Sequence, residues 1–181
     1  IEHIKDEKVR RAVRVEARII SILRDYLRDH GFVELLPVII SKVTDPLTSV
    51  KSSAEIEING HKLKLTKSMI FHKQLALFAF DRIFVFSPNV RLEDPEREST
   101  GRHLLEFVQL DVEIKNGKRE GVMKFIEEML DYLLVKLKDT AREDLEFFER
   151  LDLDLKPPFP RITYSEAVSM YGEQYEEVLS K

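Results

Sequence analysis

Residues Phe84 to Ile114, FVFSPNVRLEDPERESTGRHLLEFVQLDVEI, constrain the fold more than any other stretch of this chain. Two β-rich runs flank a charged loop that ends at Gly101, which predicts a hairpin with both strands in one sheet. Side chains alternate between the faces of a strand, so Phe107, Gln109, Asp111 and Glu113 all point the same way. A flat ring sharing a face with an amide and two carboxylates is poor material for a plain core, because buried carboxylates without partners are costly. Arg91, at the end of the first run, adds a permanent cation whose fork of donors matches phosphate oxygens. The pattern predicts a nucleotide site with a place for an amine beside it.

The remaining segments supply the frame. Val9, Val13, Ala17, Ile20, Leu23 and Leu27 recur at steps of three or four, which predicts an amphipathic helix over about residues 6–30, closed by His30 and Gly31. The run FVELLPVII is β-rich but interrupted by Pro37, which removes a ladder donor and suits an edge strand or an interface. Glu55 to Ile58 and Lys62 to Thr66 flank Asn59-Gly60, a strong signal for a tight hairpin. A helix is expected over 68–80, a buried strand over 82–86 and a long helix over about 119–149. Pro157, Pro158 and Pro160 then end regular structure, and Thr163 with Glu166 forms a capping box for a last helix. Hairpins flanked by helices predict an α+β domain built on an antiparallel sheet.

Composition excludes several chemistries. The 181 residues, 43% apolar and 34% charged, suit one globular domain. With no cysteine there are no disulfides, no thiolate-bound zinc and no thiol nucleophile. The remaining His residues show no metal-ligand spacing, so no protein-held metal is expected. No apolar run approaches the roughly 18 residues that a membrane span needs. Ile1 is not an initiator, so residues are expected ahead of it, and a cytoplasmic protein without a membrane partner is anticipated. The glycine loops of parallel nucleotide-binding folds are missing. A net charge of −4 argues against a nucleic-acid protein. Scarce Gln and Asn among many Lys, Arg and Glu fit a thermophile.

The motifs resemble those of the class II aminoacyl-tRNA synthetases, in the aspartyl and asparaginyl branch. HGFVELLPVII is similar to motif 1 of that class, which builds a dimer interface, and FVFSPNVRLE…GRHLLEFVQLDVEI is similar to motif 2. Its RHL-x-EF pattern is that of the archaeal and eukaryotic branch, and FPRITYSEA also recurs there. The resemblance covers almost all of residues 1–181 and implies one class II catalytic domain with ATP and Mg²⁺ as cofactors. It implies that Arg91 binds the ATP α-phosphate, Glu93 contacts the adenine side or the amino-acid end, Arg102 and His103 reach the outer phosphates, and Phe107 stacks on adenine. Asp111 would take the substrate ammonium, with Gln109 beside it. The run that matches the family segment Q-S-P-Q-L-x-K-Q is Thr66 through Gln74, and the resemblance places Ser68 at the substrate and Lys73 on the lysine that pairs with a substrate carboxylate. The second glutamine of that segment has become Ile70, while the retained lysine favours aspartate.

Two departures shape the expected function. There is no oligonucleotide-binding barrel ahead of motif 1, and motif 3 with its second ATP-binding arginine is missing, its place in the motif order lying beyond Lys181. Together with the acidic balance they point away from tRNA and toward a stand-alone paralogue: an AMP-forming ligase, like the archaeal asparagine synthetases, that activates aspartate as an adenylate and amidates it with ammonia. A homodimer through motif 1 is expected. The alternatives are the catalytic domain of an asparaginyl- or aspartyl-tRNA synthetase, and a non-catalytic regulatory paralogue.

Overall fold

A computed structural model describes residues 2–47, 54–92 and 103–172. The chain divides into two compact units, one formed by Ile1–Ile19 with Met123–Lys181 and the other by Ile20–Val122. The order of elements is α1 (Glu2–Lys5), α2 (Glu7–Asp29), β1 (Val33–Glu34), β2 (Ile40–Ser41), β3 (Glu55–Ile58), β4 (His61–Leu65), α3 (Ile70–Ala76), β5 (Arg82–Val90), β6 (Glu106–Ile114), α4 (Arg119–Thr140), α5 (Arg142–Phe147) and α6 (Tyr164–Tyr171).

The unit of residues 20–122 holds two three-stranded sheets, ordered β1-β5-β6 and β2-β4-β3. Pro37 separates β1 from β2 and sends them to different sheets, a division stronger than the interrupted edge strand expected from FVELLPVII. The first sheet is also not wholly antiparallel. β1 runs parallel to β5, with Val33 opposite Ile83, whereas β5 and β6 are antiparallel over their full nine residues. Ile83, Phe84 and Val85 are fully buried in β5 and form the core with Leu23, Tyr26, Leu27, Phe32 and Met69. Two ion pairs on Glu34, from Arg24 at 2.9 Å and Arg28 at 2.6 Å, bind the end of α2 to β1. Arg24 also lies 4.9 Å over the Phe86 ring, so its guanidinium is shared between an anion and an aromatic face.

The β3–β4 hairpin turns at Asn59 (φ 52°) and Gly60 (φ 77°), the paired left-handed residues that a two-residue turn with the twist of its strands requires. The two sheets are joined where Val90 N–H donates to Thr66 O at 2.9 Å and Thr66 N–H donates to Ile39 O at 2.8 Å. These bonds carry the segment leading into α3 alongside the end of β5, which determines what α3 can reach.

In the other unit the helix expected over 119–149 is interrupted, with α4 ending at Thr140 and α5 starting after the buried Ala141. Met129, Leu133 and Leu137 line the buried side of α4. Asp144 accepts from Arg14 Nη2 at 2.6 Å and Nε at 3.1 Å, and from Arg11 Nη1 at 3.0 Å. The Arg14 fork in particular holds the Asp144 carboxyl below the usual carboxylate range. The capping box before α6 forms in full: Glu166 N–H donates to Thr163 Oγ1, and Thr163 N–H donates to Glu166 Oε2 at 2.7 Å. The backbone hydrogen bond from Thr163 keeps the Glu166 carboxyl low. Among the described residues no helix is long and apolar enough to cross a membrane.

Candidate functional site

The β5–β6 register decides which side chains meet. Ser87 stands opposite Gln109, Asn89 opposite Phe107, Val85 opposite Asp111 and Ile83 opposite Glu113. Directly opposed residues of an antiparallel pair share a face, so one face carries Phe107, Gln109, Asp111 and Glu113 from β6 with Ser87 and Asn89 from β5.

α3 places one cation on this face. Lys73, only 6% exposed, sets its Nζ 2.9 Å from Glu113 Oε1 and 3.3 Å from Asp111 Oδ2. The two contacts differ in length and burial. Asp111 Oδ2 is buried and, despite its distance to the ammonium, has no hydrogen bond of acceptable geometry. Glu113 is thus the nearer partner of the lysine, and buried Asp111 Oδ2 keeps acceptor capacity beyond its ion pair. One cation here faces two carboxylates, and that arrangement leaves local negative charge.

At the other end of the face Arg91 lies beside Phe107, its guanidinium carbon 4.9 Å from the ring centroid. Arg91 Nε donates to Lys67 O at 3.2 Å, and its Nη2 reaches Gln109 Oε1 at 3.4 Å. Asn89 Nδ2 donates to the same Gln109 Oε1 at 3.1 Å and to Ser87 O at 3.0 Å. The planar ring, the cationic fork next to it and the half-buried setting are a donor set that fits a nucleotide. They offer a surface for the base and donors for phosphate. Among the described residues no three His, Asp or Glu side chains gather around one point, although Mg²⁺ carried by ATP phosphates needs only one or two carboxylates from a protein.

The other expected site residues fare differently. Ser68 is half-buried just ahead of α3 and makes no hydrogen bond to this cluster among the described residues. His103 is half-buried in the segment just before β6, and no interaction joins it to Arg91 or Phe107 among the described residues. Glu93 and Arg102 lie outside the described residues. Two residues that the reading of the sequence left without a role join the site, Ser87 and Asn89, while Glu113, expected among the carboxylates for an amine, meets Lys73. Ser87 and Asn89 are fully buried, and among the described residues Ser87 Oγ and Asn89 Oδ1 have no hydrogen-bond partner. The signal for Ser87 and Asn89 was polar residues at every second position just beyond the run read as buried strand, leading to Arg91.

The sequence and fold of this chain are similar to those of known proteins. The chain is 26% identical over 179 residues to the asparagine–tRNA ligase of Chloroflexus aurantiacus, covering 97% of this chain and 40% of the relative. It is 28% identical over 178 residues to the aspartate–tRNA(Asp/Asn) ligase of Methanopyrus kandleri, again covering 97% of this chain and 40% of the relative. Among solved structures, the asparaginyl-tRNA synthetase of Pyrococcus horikoshii complexed with asparaginyl-adenylate superposes with a TM-score of 0.83 at 25% identity, over 95% of this chain and 39% of that one. The chain thus spans about two fifths of the length of the relatives it matches.

These relatives overturn the expectation that tRNA is an unlikely partner, because each is a tRNA ligase by name. The physical error lay in the weight given to bulk charge. A net −4 averages over a whole surface, whereas a polyanion is met by local groups. A barrel not found in a chain spanning two fifths of its relatives says nothing about tRNA. The amidation of aspartate finds no support in these relatives, and the tRNA ligase alternative fits them better. The profile of the tRNA synthetases class II (D, K and N) matches residues 1–179, and with the β5–β6 hairpin, the fold and the relatives in agreement, the chain belongs to that family.

Proposed function

We propose that this chain is the amino-acid-activating part of an asparagine- or aspartate-specific tRNA ligase. It would join the carboxylate of the amino acid to the α-phosphate of ATP, releasing pyrophosphate, and later pass the aminoacyl group to tRNA. The observation that carries this reading is the order of groups along one strand face. Arg91 and Phe107 stand at one end, and Asp111, Lys73 and Glu113 stand at the other. A nucleotide at the first end and an ammonium at the second bring a carboxylate and an α-phosphate together between them.

The roles follow from the contacts. Asp111, whose Oδ2 keeps acceptor capacity beyond its ion pair, accepts the substrate ammonium. That leaves Lys73 paired with Glu113, from which it would turn toward the substrate side chain. Because Glu113 already matches the lysine charge, Lys73 is a weaker argument for aspartate over asparagine than its presence alone suggests. For a base to use the covered ring face, the Arg91 guanidinium moves off Phe107 and onto phosphate, where its charge assists in-line attack. In the family ATP brings Mg²⁺, which supplies charge neutralisation on the phosphates. The amidation of activated aspartate by ammonia stands as the second reading. The observation that favours it is Ile70 in place of the family's amide, which alters the substrate pocket.

The test is pyrophosphate exchange into ATP by the full-length protein, driven by asparagine or aspartate, followed by charging of tRNA. Exchange with either amino acid and aminoacylation of tRNA are the expected results. Asparagine formed from aspartate and ammonium without tRNA charging would favour the second reading. No exchange with any amino acid defeats both.

A further inference from the structure

The amide of Gln109 can point either way in an isolated side chain, yet its neighbours here leave it one orientation. Arg91 is a donor only, and its Nη2 faces Gln109 Oε1 at 3.4 Å. Asn89 presents Nδ2 to Ser87 O, a backbone oxygen that can only accept, and to Gln109 Oε1. Exchanging oxygen and nitrogen in either amide would set donor against donor or acceptor against acceptor. The assignment therefore rests on chemistry rather than on indistinguishable atoms. As a consequence Gln109 Nε2, which meets no acceptor among the described residues, is held as a donor on the face shared with Asp111.

We infer that Asn89 is a positioning residue for the amino-acid site: it locks Gln109 so that Nε2 is presented to an oxygen of the substrate. The inference deepens the activation reading and rests on it. A substrate oxygen, from the α-carboxylate or from the side chain, supplies the acceptor that Gln109 lacks. Asn89 itself is fully buried and touches no substrate, so its effect passes through Gln109 alone. Its burial also explains why a polar residue persists in the core of β5: a side chain of this kind without a task would leave Oδ1 orphaned for nothing.

The experiment is a double-mutant cycle in pyrophosphate exchange with full-length protein. Asn89→Leu, close to isosteric, removes the donor and is expected to raise the KM for the amino acid about fivefold, the worth of one hydrogen bond. The KM for ATP should change less than twofold. In a Gln109→Ala background the same substitution should leave the amino-acid KM unmoved. Equal effects of Asn89→Leu in both backgrounds, or a matched rise in the KM for ATP, would overturn the inference, since a merely structural role gives those results. Asn89→Asp keeps the shape but only accepts, and it serves if the leucine variant does not fold; it too is expected to raise the amino-acid KM only where Gln109 is present. A readout without activity separates the two claims: the side-chain amide signal of ¹⁵N-labelled Gln109, recorded without substrate. A signal shifted by Asn89→Leu supports the lock even where exchange is silent and the activation reading has failed. An unmoved signal with exchange intact removes the lock and spares the activation reading.

Discussion

Lys73 lies where two carboxylates converge, with side chains 7%, 16% and 31% exposed for Lys73, Asp111 and Glu113. A buried charge whose partner is removed costs more than the pair contributed, because the survivor stays desolvated. Lys73→Met leaves Asp111 and Glu113 side by side and is expected to destabilise the protein by about 3 kcal/mol in urea unfolding. Adding Glu113→Gln should recover part of that loss; a loss below about 1 kcal/mol would mean the cluster is solvated rather than buried. Arg91 allows a different kind of experiment. Arg91→Lys keeps the charge but loses both the planar contact with Phe107 and the fork that meets Lys67 O and Gln109 Oε1. The expected result is a rise of about tenfold or more in the KM for ATP with stability little changed. An unaltered KM would remove Arg91 from the nucleotide site.

At the scale of elements, the capping box of α6 is the cleanest local test. Two reciprocal hydrogen bonds between Thr163 and Glu166 satisfy donors that a helix start leaves open. Thr163→Ala should cost about 1 kcal/mol near neutral pH. The sign with pH follows from the depressed Glu166 carboxyl: its contribution is present above the unfolded carboxylate value and is lost as pH falls through the lower folded value. The difference between wild type and Thr163→Ala should therefore shrink on acidification, and a difference constant from pH 7 to about pH 2 would contradict the box. The β3–β4 hairpin and α2 were legible in the sequence for the same reason as this box. Each is specified by residues close together in the chain: Asn59-Gly60, the three-to-four spacing from Val9 to Leu27, and Thr163 with Glu166. The parallel pairing of β1 with β5 was not legible, because nothing near Val33 encodes which distant strand accepts it.

For the whole molecule, both carboxyls held low, Asp144 and Glu166, belong to the unit formed by residues 1–19 and 123–181. Arginines stay charged throughout, so the Asp144 contribution is likewise lost only as pH falls. Hydrogen exchange followed from pH 7 to about pH 3 should show protection in α5 and α6 falling before that in β5 and β6. Protection lost together throughout would mean that these carboxyls do not control acid stability. The same division sorts what could be read before the fold was seen. The ring, the fork and the carboxylates were visible in order along one hairpin, because alternation alone puts Phe107, Gln109, Asp111 and Glu113 on a common face. Where Lys73 points, which carboxylate lies nearer to it, and how Asn89 turns Gln109 depended on α3 bringing Lys73 to β6 and on a β5–β6 register between residues from distant parts of the chain. Local spacing encodes faces and turns, while partners are chosen by packing between segments that meet only in the folded chain.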